Sequence, residues 1–363
     1  MRSALVRATD LRARRKMEMS TFNLRDGYPE AILRGYKGSL LDSGDYALVC
    51  QCENLDDLKM HLASTAYGSH LSEVESGTNT TSQLIEACTN QFVEEFEYLQ
   101  CQSEGPLYHF LEMCRIPHMI DNVVLIVSGC LHNQHTPELL EKCHPLGMFD
   151  SIASLAVASN MQELYQLVLI DTPLAKYFEG SLSREDLTEM HLEIMRNMLY
   201  KSWIEDFLSF CRKVGGTTLE VMAGFLAFEA DRRAVSITLN SIGTELTYDD
   251  RRSLFCKFGA LHPYGQKDLA TADDFEQILK VLSEYSPFNL ILSQTSAEEE
   301  QVIEDLLTNH ELVMCKESFM QQFHYGVFWA YMKMKEQEIR NLMWISECIV
   351  QNQHTRIHDG VKY

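Results

Sequence analysis

Asn54-Leu55-Asp56-Asp57-Leu58-Lys59-Met60-His61-Leu62 reads as a capped amphipathic stretch: an Asn placed to close a first turn, acids beside it, and apolar residues at helical spacing. The plan returns in Asn160-Met161-Gln162-Glu163-Leu164-Tyr165-Gln166-Leu167-Val168, and again in Ala272-Asp273-Asp274-Phe275-Glu276-Gln277-Ile278-Leu279-Lys280. A second pattern follows each copy, a charged or amide cluster leading into an apolar helix. Its copies are Ile120-Asp121-Asn122-Val123-Val124, Glu229-Ala230-Asp231-Arg232-Arg233-Ala234-Val235 and Glu336-Gln337-Glu338-Ile339-Arg340-Asn341-Leu342. Anchors Leu58, Leu164 and Ile278 are 106 and 114 residues apart; anchors Asn122, Ala234 and Asn341 are 112 and 107 apart. Two tracks with one period of about 110 residues imply three similar units. The boundaries predicted are an N-terminal extension at 1–21 and helical units at 22–150, 151–260 and 261–363.

The chain between these landmarks is punctuated lightly, with 8 Pro and 18 Gly in 363 residues, which favours long helices over a many-turned β fold. Residues 41–46 read as a turn and 73–81 as a loop. Long helices are predicted over 83–101, 183–214 and 319–353, and another after Gly105-Pro106 that ends near Gly129. Trp203-Ile204-Glu205-Asp206-Phe207 echoes Phe92-Val93-Glu94-Glu95-Phe96, and the third counterpart, at 310–313, is weak. Val235-Ser236-Ile237-Thr238-Leu239 alternates like a strand, but its two matching segments are helical, so it is read as helix. The fold class is all-α. Three such units can close around a pseudo-threefold axis or stack as an open array, and they must pack on one another to bury their apolar faces.

Net charge is −21. The first 18 residues hold six of the basic residues against Asp10 and Glu18, leaving 25 basic and 50 acidic residues in the body. Such a body repels phosphate backbones and anionic headgroups, so nucleic acid is excluded as a partner and a protein face is favoured. The Arg-rich start is read as an extension ahead of a functional start at Met19, with an organelle transit peptide as the other reading. Eleven scattered Cys fit a reduced compartment. The longest apolar run, 123–131, is too short to span a bilayer.

The motifs that carry chemistry mostly fail. Phosphate-binding glycine loops and the Gly-x-Ser-x-Gly elbow are missing. Cys130, His132, His135, Cys143 and His144 supply enough ligand types for zinc, but Thr136-Pro137-Glu138 and the lack of a paired knuckle argue against it. Cys50-x-Cys52 reads as core. No catalytic, cofactor or metal residue is expected. The charged clusters remain: Asp121, Asn122, Glu229, Asp231, Arg232, Arg233, Glu336, Glu338 and Arg340. Glu229 faces Arg232 or Arg233, and Glu336 faces Arg340, at helical spacing. They read either as solvated faces with local ion pairs or as locks between units and with partners. The aromatic and Met-rich stretch 319–334 reads as core, with a docking strip as the other reading.

Several stretches resemble the subunit d family of vacuolar-type proton-pumping ATPases. They are Asp26-Gly27-Tyr28, Gln51-Cys52-Glu53-Asn54-Leu55-Asp56-Asp57-Leu58-Lys59, Cys143-His144-Pro145-Leu146-Gly147, Asp171-Thr172-Pro173-Leu174-Ala175, Gly215-Gly216-Thr217-Thr218, Phe228-Glu229-Ala230-Asp231-Arg232-Arg233-Ala234, Phe323-His324-Tyr325-Gly326-Val327-Phe328 and Lys335-Glu336-Gln337-Glu338. The resemblance covers about residues 22–351. It implies a funnel-like, pseudo-threefold all-α subunit without an active site, one copy in a hetero-oligomeric complex. It implies a peripheral place on the cytosolic face of an acidic-organelle membrane (vacuole, lysosome or endosome). The implied partners are the proteolipid ring, the central-stalk subunits and the large membrane-sector subunit. A free-standing helical-repeat adaptor is the rival reading.

Overall fold

The computed structural model describes residues 21–72, 80–132, 134, 136–152, 172–178, 189–293 and 300–363. Among these residues every regular element is a helix, as the sequence implies. The chain opens with α1 (Gly27–Gly38), α2 (Ser43–Val49), α3 (Leu55–Leu62) and α4 (Gly68–Leu71), then the long α5 (Thr81–Cys101) and α6 (Gly105–Leu131). Next come α7 (Thr136–Lys142), a 3-10 turn at Pro145–Gly147, α8 (Ala175–Phe178), and the long α9 (Glu189–Val214) and α10 (Gly216–Ser241). The last series is α11 (Tyr248–Leu254), α12 (Tyr264–Ala270), α13 (Phe275–Ser283), α14 (Phe288–Leu292), and the long α15 (Glu300–Ser318) and α16 (Gly326–Val350). A 3-10 turn at His354–Arg356 and α17 (Ile357–Gly360) follow. Short helices followed by two long ones thus recur three times.

The repeated stretch forms α3 and α13. Asn54 Oδ1 accepts from Asp57 N–H at 2.9 Å, and Asp274 Oδ1 from Gln277 N–H at 2.8 Å. Such caps contribute about 1 kcal/mol each and fix where a short helix starts. The anchors Leu58 and Ile278 are fully buried, with Leu62 and Leu282 one turn on. The middle copy, 160–168, lies outside the described residues, as do 1–20 and most of the loop at 73–81.

Some boundaries differ from the sequence reading. The turn expected at 41–46 is largely helix: the Asp42 side chain accepts from Gly44 and Asp45 N–H, while Asp45 accepts from Asp42 N–H, a reciprocal box that starts α2. The helix expected over 319–353 is shorter, Gly326–Val350, because Phe323 takes a left-handed φ of 66° and breaks the chain away from α15. The helix expected from 183 is described from Glu189. Residues 235–239 are helical, inside α10.

Packing divides the chain into two compact bodies. Body one is the described part of Met1–Leu111 with Gly216–Thr218 and Thr308–Tyr363; body two is Glu112–Gly215 and Leu219–Leu307. The three-unit division rests on the sequence period and the two bodies on packing. In body one, α16 lies against α1, α3 and α5. Tyr46, Leu58, Leu62, Tyr67, Leu84 and Cys88 pack there with Leu342, Ile345 and Ile349. Phe92, Phe96 and Leu99 of α5 are buried, as are Phe328, Trp329 and Tyr331 of α16, whereas Met320 is 86% exposed.

Body two solves a backbone problem posed by Pro117 inside α6. Proline has no N–H to give to the carbonyl four residues back, which is that of Met113. The buried Trp203 indole on α9 donates to that carbonyl at 2.9 Å, so the orphan acceptor is satisfied by a side chain. Among the described residues no helix is long and apolar enough to cross a membrane.

Candidate functional site

All nine cluster residues lie within the second long helix of a repeat, in its middle rather than ahead of its apolar part. In α6, Asp121 is exposed and Arg196 of α9 reaches it at 3.1 Å. Its neighbour Asn122 is 2% exposed. The Asn122 carboxamide donates to His144 O at 2.9 Å and accepts from His144 N–H at 2.8 Å, so one amide stands in for a peptide group.

In α10, Glu229 is buried and takes two cations from its own helix. Arg232 donates to Oε2 from Nη2 at 2.6 Å, and Arg233 donates to Oε1 from Nε at 2.8 Å. The Arg233 guanidinium also lies 3.3 Å from the centre of the Tyr200 ring of α9. Asp231 faces elsewhere. It is 1% exposed and accepts from Ala260 N–H at 2.6 Å and Leu261 N–H at 3.2 Å. Gly259, at φ 122°, leaves no room for a Cβ, which would sit 2.2 Å from Asp231 Oδ1. Burial pushes the Asp231 carboxyl up to about 7, against the opposing pull of the two N–H donors.

In α16, Glu338 is buried with Lys335 Nζ at 3.3 Å, and Lys335 is itself fully buried. The carboxylate also accepts from Tyr67 OH at 2.5 Å and Leu41 N–H at 2.6 Å, while the ammonium lies 4.1 Å from the Tyr67 ring centre. Burial, then the Glu338 charge, raises the Tyr67 pKa well above the ordinary value, so the hydroxyl stays a donor. The expected facing of Glu336 and Arg340 takes another form: Glu336 lies 3.7 Å from Lys333, and Arg340 donates to Gln337 Oε1 at 3.0 Å. The uncharged Gln337 sits one turn back on the same face and offers the nearer acceptor.

The family model described as ATP synthase (C/AC39) subunit matches residues 29–360. The chain belongs to the ATP synthase (C/AC39) subunit family. It is 56% identical to V-type proton ATPase subunit d1 of Arabidopsis thaliana over 346 residues, 95% of this chain and 98% of that one. It is 46% identical to V-type proton ATPase subunit d of Dictyostelium discoideum over 342 residues, 94% and 96% of the two chains. With V-type proton ATPase subunit d of Saccharomyces cerevisiae the identity is 40% over 348 residues, 95% and 99%.

In this family member the clusters tie separate stretches of sequence together. Glu338 binds residues 297 and 271 positions away, and Asp121 binds one 75 positions away. Glu229, by contrast, is satisfied by its own helix. Sequence reasoning missed Tyr200 and Arg196, although their i,i+4 spacing on α9 puts them on one face. It also missed Tyr67, and Arg115, which donates to Leu146 O at 2.9 Å and Met148 O at 3.2 Å. Among the metal-like residues, Cys143 donates to Leu139 O, the His144 ring stacks on His118 at 4.1 Å, and His132 Nδ1 lies 2.8 Å from Ser128 O. His135 lies outside the described residues, and Cys130 is half-buried with burial raising its thiol pKa. Among the described residues no group of three or more His, Cys, Asp or Glu is placed to hold a metal.

Proposed function

We propose that this chain is the d-type, non-catalytic coupling subunit of a vacuolar-type proton-pumping ATPase. In this reading it sits on the cytosolic face of the proteolipid ring of an acidic-organelle membrane and joins that ring to the central stalk. It also touches the large membrane-sector subunit. The observation that carries the reading is the match to V-type proton ATPase subunit d1 over 98% of that relative's length. The charge of −21 supports placement by specific protein contacts rather than by anionic headgroups. The pseudo-threefold, funnel-like arrangement of three units belongs to the same proposal.

A coupling element must be stiff, and a buried charged group whose hydrogen bonds tie distant stretches of chain, as Glu338 does, supplies stiffness at a defined point. In this reading Asp121 and Glu338 act as braces between repeats, the other cluster residues stiffen their own helix or an adjoining loop, and the exposed members Asp121 and Arg340 are open to partner contacts. The test is affinity purification of the tagged full chain from detergent-solubilised organelle membranes, followed by mass spectrometry. Proteolipid and central-stalk subunits are expected in stoichiometric amounts. Recovery of the chain alone, or with unrelated proteins, would establish the free-standing adaptor instead.

A further inference from the structure

The amide clamp made by Asn122 has a second copy. Asn341, at the equivalent place in α16, donates from Nδ2 to Lys362 O at 2.6 Å and accepts from Lys362 N–H at 3.1 Å. The offsets are nearly equal, 22 residues to His144 and 21 to Lys362. Each clamp is paired with a ring stack: His144 on His118 at 4.1 Å, and Tyr363 on Tyr46 at 4.5 Å with 12° between the planes. Ala234 holds this place in α10 and has no amide to offer.

The Asn341 site is held by partners other than the segment it takes. Asn341 is 1% exposed, accepts from Gln337 Nε2 at 2.9 Å, and donates to Tyr46 OH at 2.9 Å. Tyr46 is 3% exposed and stands on α2, almost 300 residues from Asn341 in sequence. Approach to the site is shaped by Trp344, whose indole donates to Ile357 O at 3.1 Å and lies against Gly360 so closely that a Cβ there would be 2.5 Å from it. Val361 then packs on the body-one core. Tyr363 keeps 57% exposure, so the segment is held by one peptide group and one ring face rather than enclosed.

We propose that Tyr46 and Asn341 form a peptide-binding site that takes a backbone N–H and C=O pair followed by an aromatic residue. The chain fills it with its own segment 361–363, which latches α2 to α16. A carboxamide matches the donor and acceptor of a peptide group in one plane, and the tyrosine face reads the ring that follows. The latch stands whether or not the chain works in a pump.

The experiment compares the full chain with one stopped after Gly360. Amide hydrogen exchange is followed in residues 43–49. Loss of the latch is expected to raise exchange there about tenfold, because local opening reports the contacts that hold an element down. A synthetic peptide of residues 358–363 should restore protection to the shortened chain, and the same peptide with Ala in place of Tyr363 should not. The full-length variants Asn341→Leu and Tyr363→Ala keep the test open if the shortened chain folds poorly; each should raise exchange in 43–49 and leave 248–254 of body two unchanged. Unchanged exchange in all three variants overturns the proposal. So does equal rescue by both peptides, which would show packing without recognition.

Discussion

Asp231 and Glu338 hold the same place in the repeat, three residues before the anchors Ala234 and Asn341, yet the two bodies bury them by different means. Glu338 has a cation, a hydroxyl and a backbone N–H. Asp231 has two backbone N–H groups. The difference is visible one turn earlier, where body one places Lys335 and body two places Phe228, stacked on Phe288. In the first repeat the same two positions are Ile116 and Met119, both buried and apolar. One helical site is thus filled in three ways: apolar with apolar, apolar with acid, and base with acid. The repeat preserves the burial of these positions more faithfully than their charge.

The largest effect expected comes from breaking the Lys335–Glu338 pair. Glu338→Gln leaves Lys335 as a lone charge with no exposure, at a cost of about 3–5 kcal/mol. Urea unfolding followed by Trp329 and Trp344 fluorescence, in a Trp203→Phe background, reads body one alone. The double change Lys335→Ile with Glu338→Met copies the first repeat's solution and should recover more than half of the loss. If the double variant is as unstable as the single one, the pair contributes through Tyr67 and Leu41 rather than through charge balance.

Acid should move the two bodies in opposite directions. Asp231 has its pKa raised to about 7 by burial, so the folded state holds the proton more tightly than the unfolded chain. Its contribution is complete below about pH 4 and fades as pH rises through 7, at most about 1.4 kcal/mol per unit. Body one carries the converse group, His324, buried and lowered to about 4, with Ser318 O 3.1 Å from Nε2. Its contribution is complete above about pH 6.5 and fades as pH falls toward 4. Unfolding measured from pH 4 to 7 should therefore lose a falling component for body two in Asp231→Asn, read at Trp203, and a rising component for body one in His324→Gln. Identical pH profiles for wild type and both variants would contradict these assignments.

The fold class and the two outer copies of the first repeat pattern were legible because helical periodicity and caps are local: Asn54 and Asp274 act within three residues of themselves. Glu229 with Arg232 and Arg233 was legible for the same reason. The partners of Glu338 and Asp231 were not, because Leu41, Tyr67, Ala260 and Leu261 are brought there by packing that no spacing records. The helix start at Gly326 escaped for a related cause. Aromatic residues at helical spacing run through 319–325, but the left-handed Phe323 overrides that pattern, and Tyr325 N–H is taken by Thr218.

Tyr200 sharpens the comparison within body two, where charge rests on a ring as well as on a counter-ion. Its ring takes Arg233 at 3.3 Å and Arg196 at 5.8 Å, and its hydroxyl donates to Pro117 O at 3.4 Å. Tyr200→Phe removes the hydroxyl, with its long hydrogen bond to Pro117 O and its interaction with Asp121, and should shift the urea midpoint slightly. Tyr200→Leu removes the cation–π contacts as well and should cost about 1–2 kcal/mol more. Equal costs for the two variants would assign the contribution to the hydroxyl.

The smallest effect is expected at the most charged-looking member of the first cluster. Asp121 and Arg196 are 46% and 39% exposed in their side chains, so their pair is screened and contributes about 0.2–1 kcal/mol. Asp121→Asn should lose that amount at low salt and almost nothing at 1 M, where the Debye length is about 3 Å. The next residue, Asn122, carries no charge, but its buried amide satisfies both the N–H and the C=O of His144. Asn122→Ala leaves those two groups without their amide partner and should cost about 1–3 kcal/mol at either salt concentration. Neighbouring residues on one helix would then respond in inverse order to their charge. That order follows if burial decides what a cluster residue contributes, as is expected for Asp231 and Glu338. A larger, salt-sensitive loss at Asp121 than at Asn122 would instead make the exposed charge the working part of the cluster.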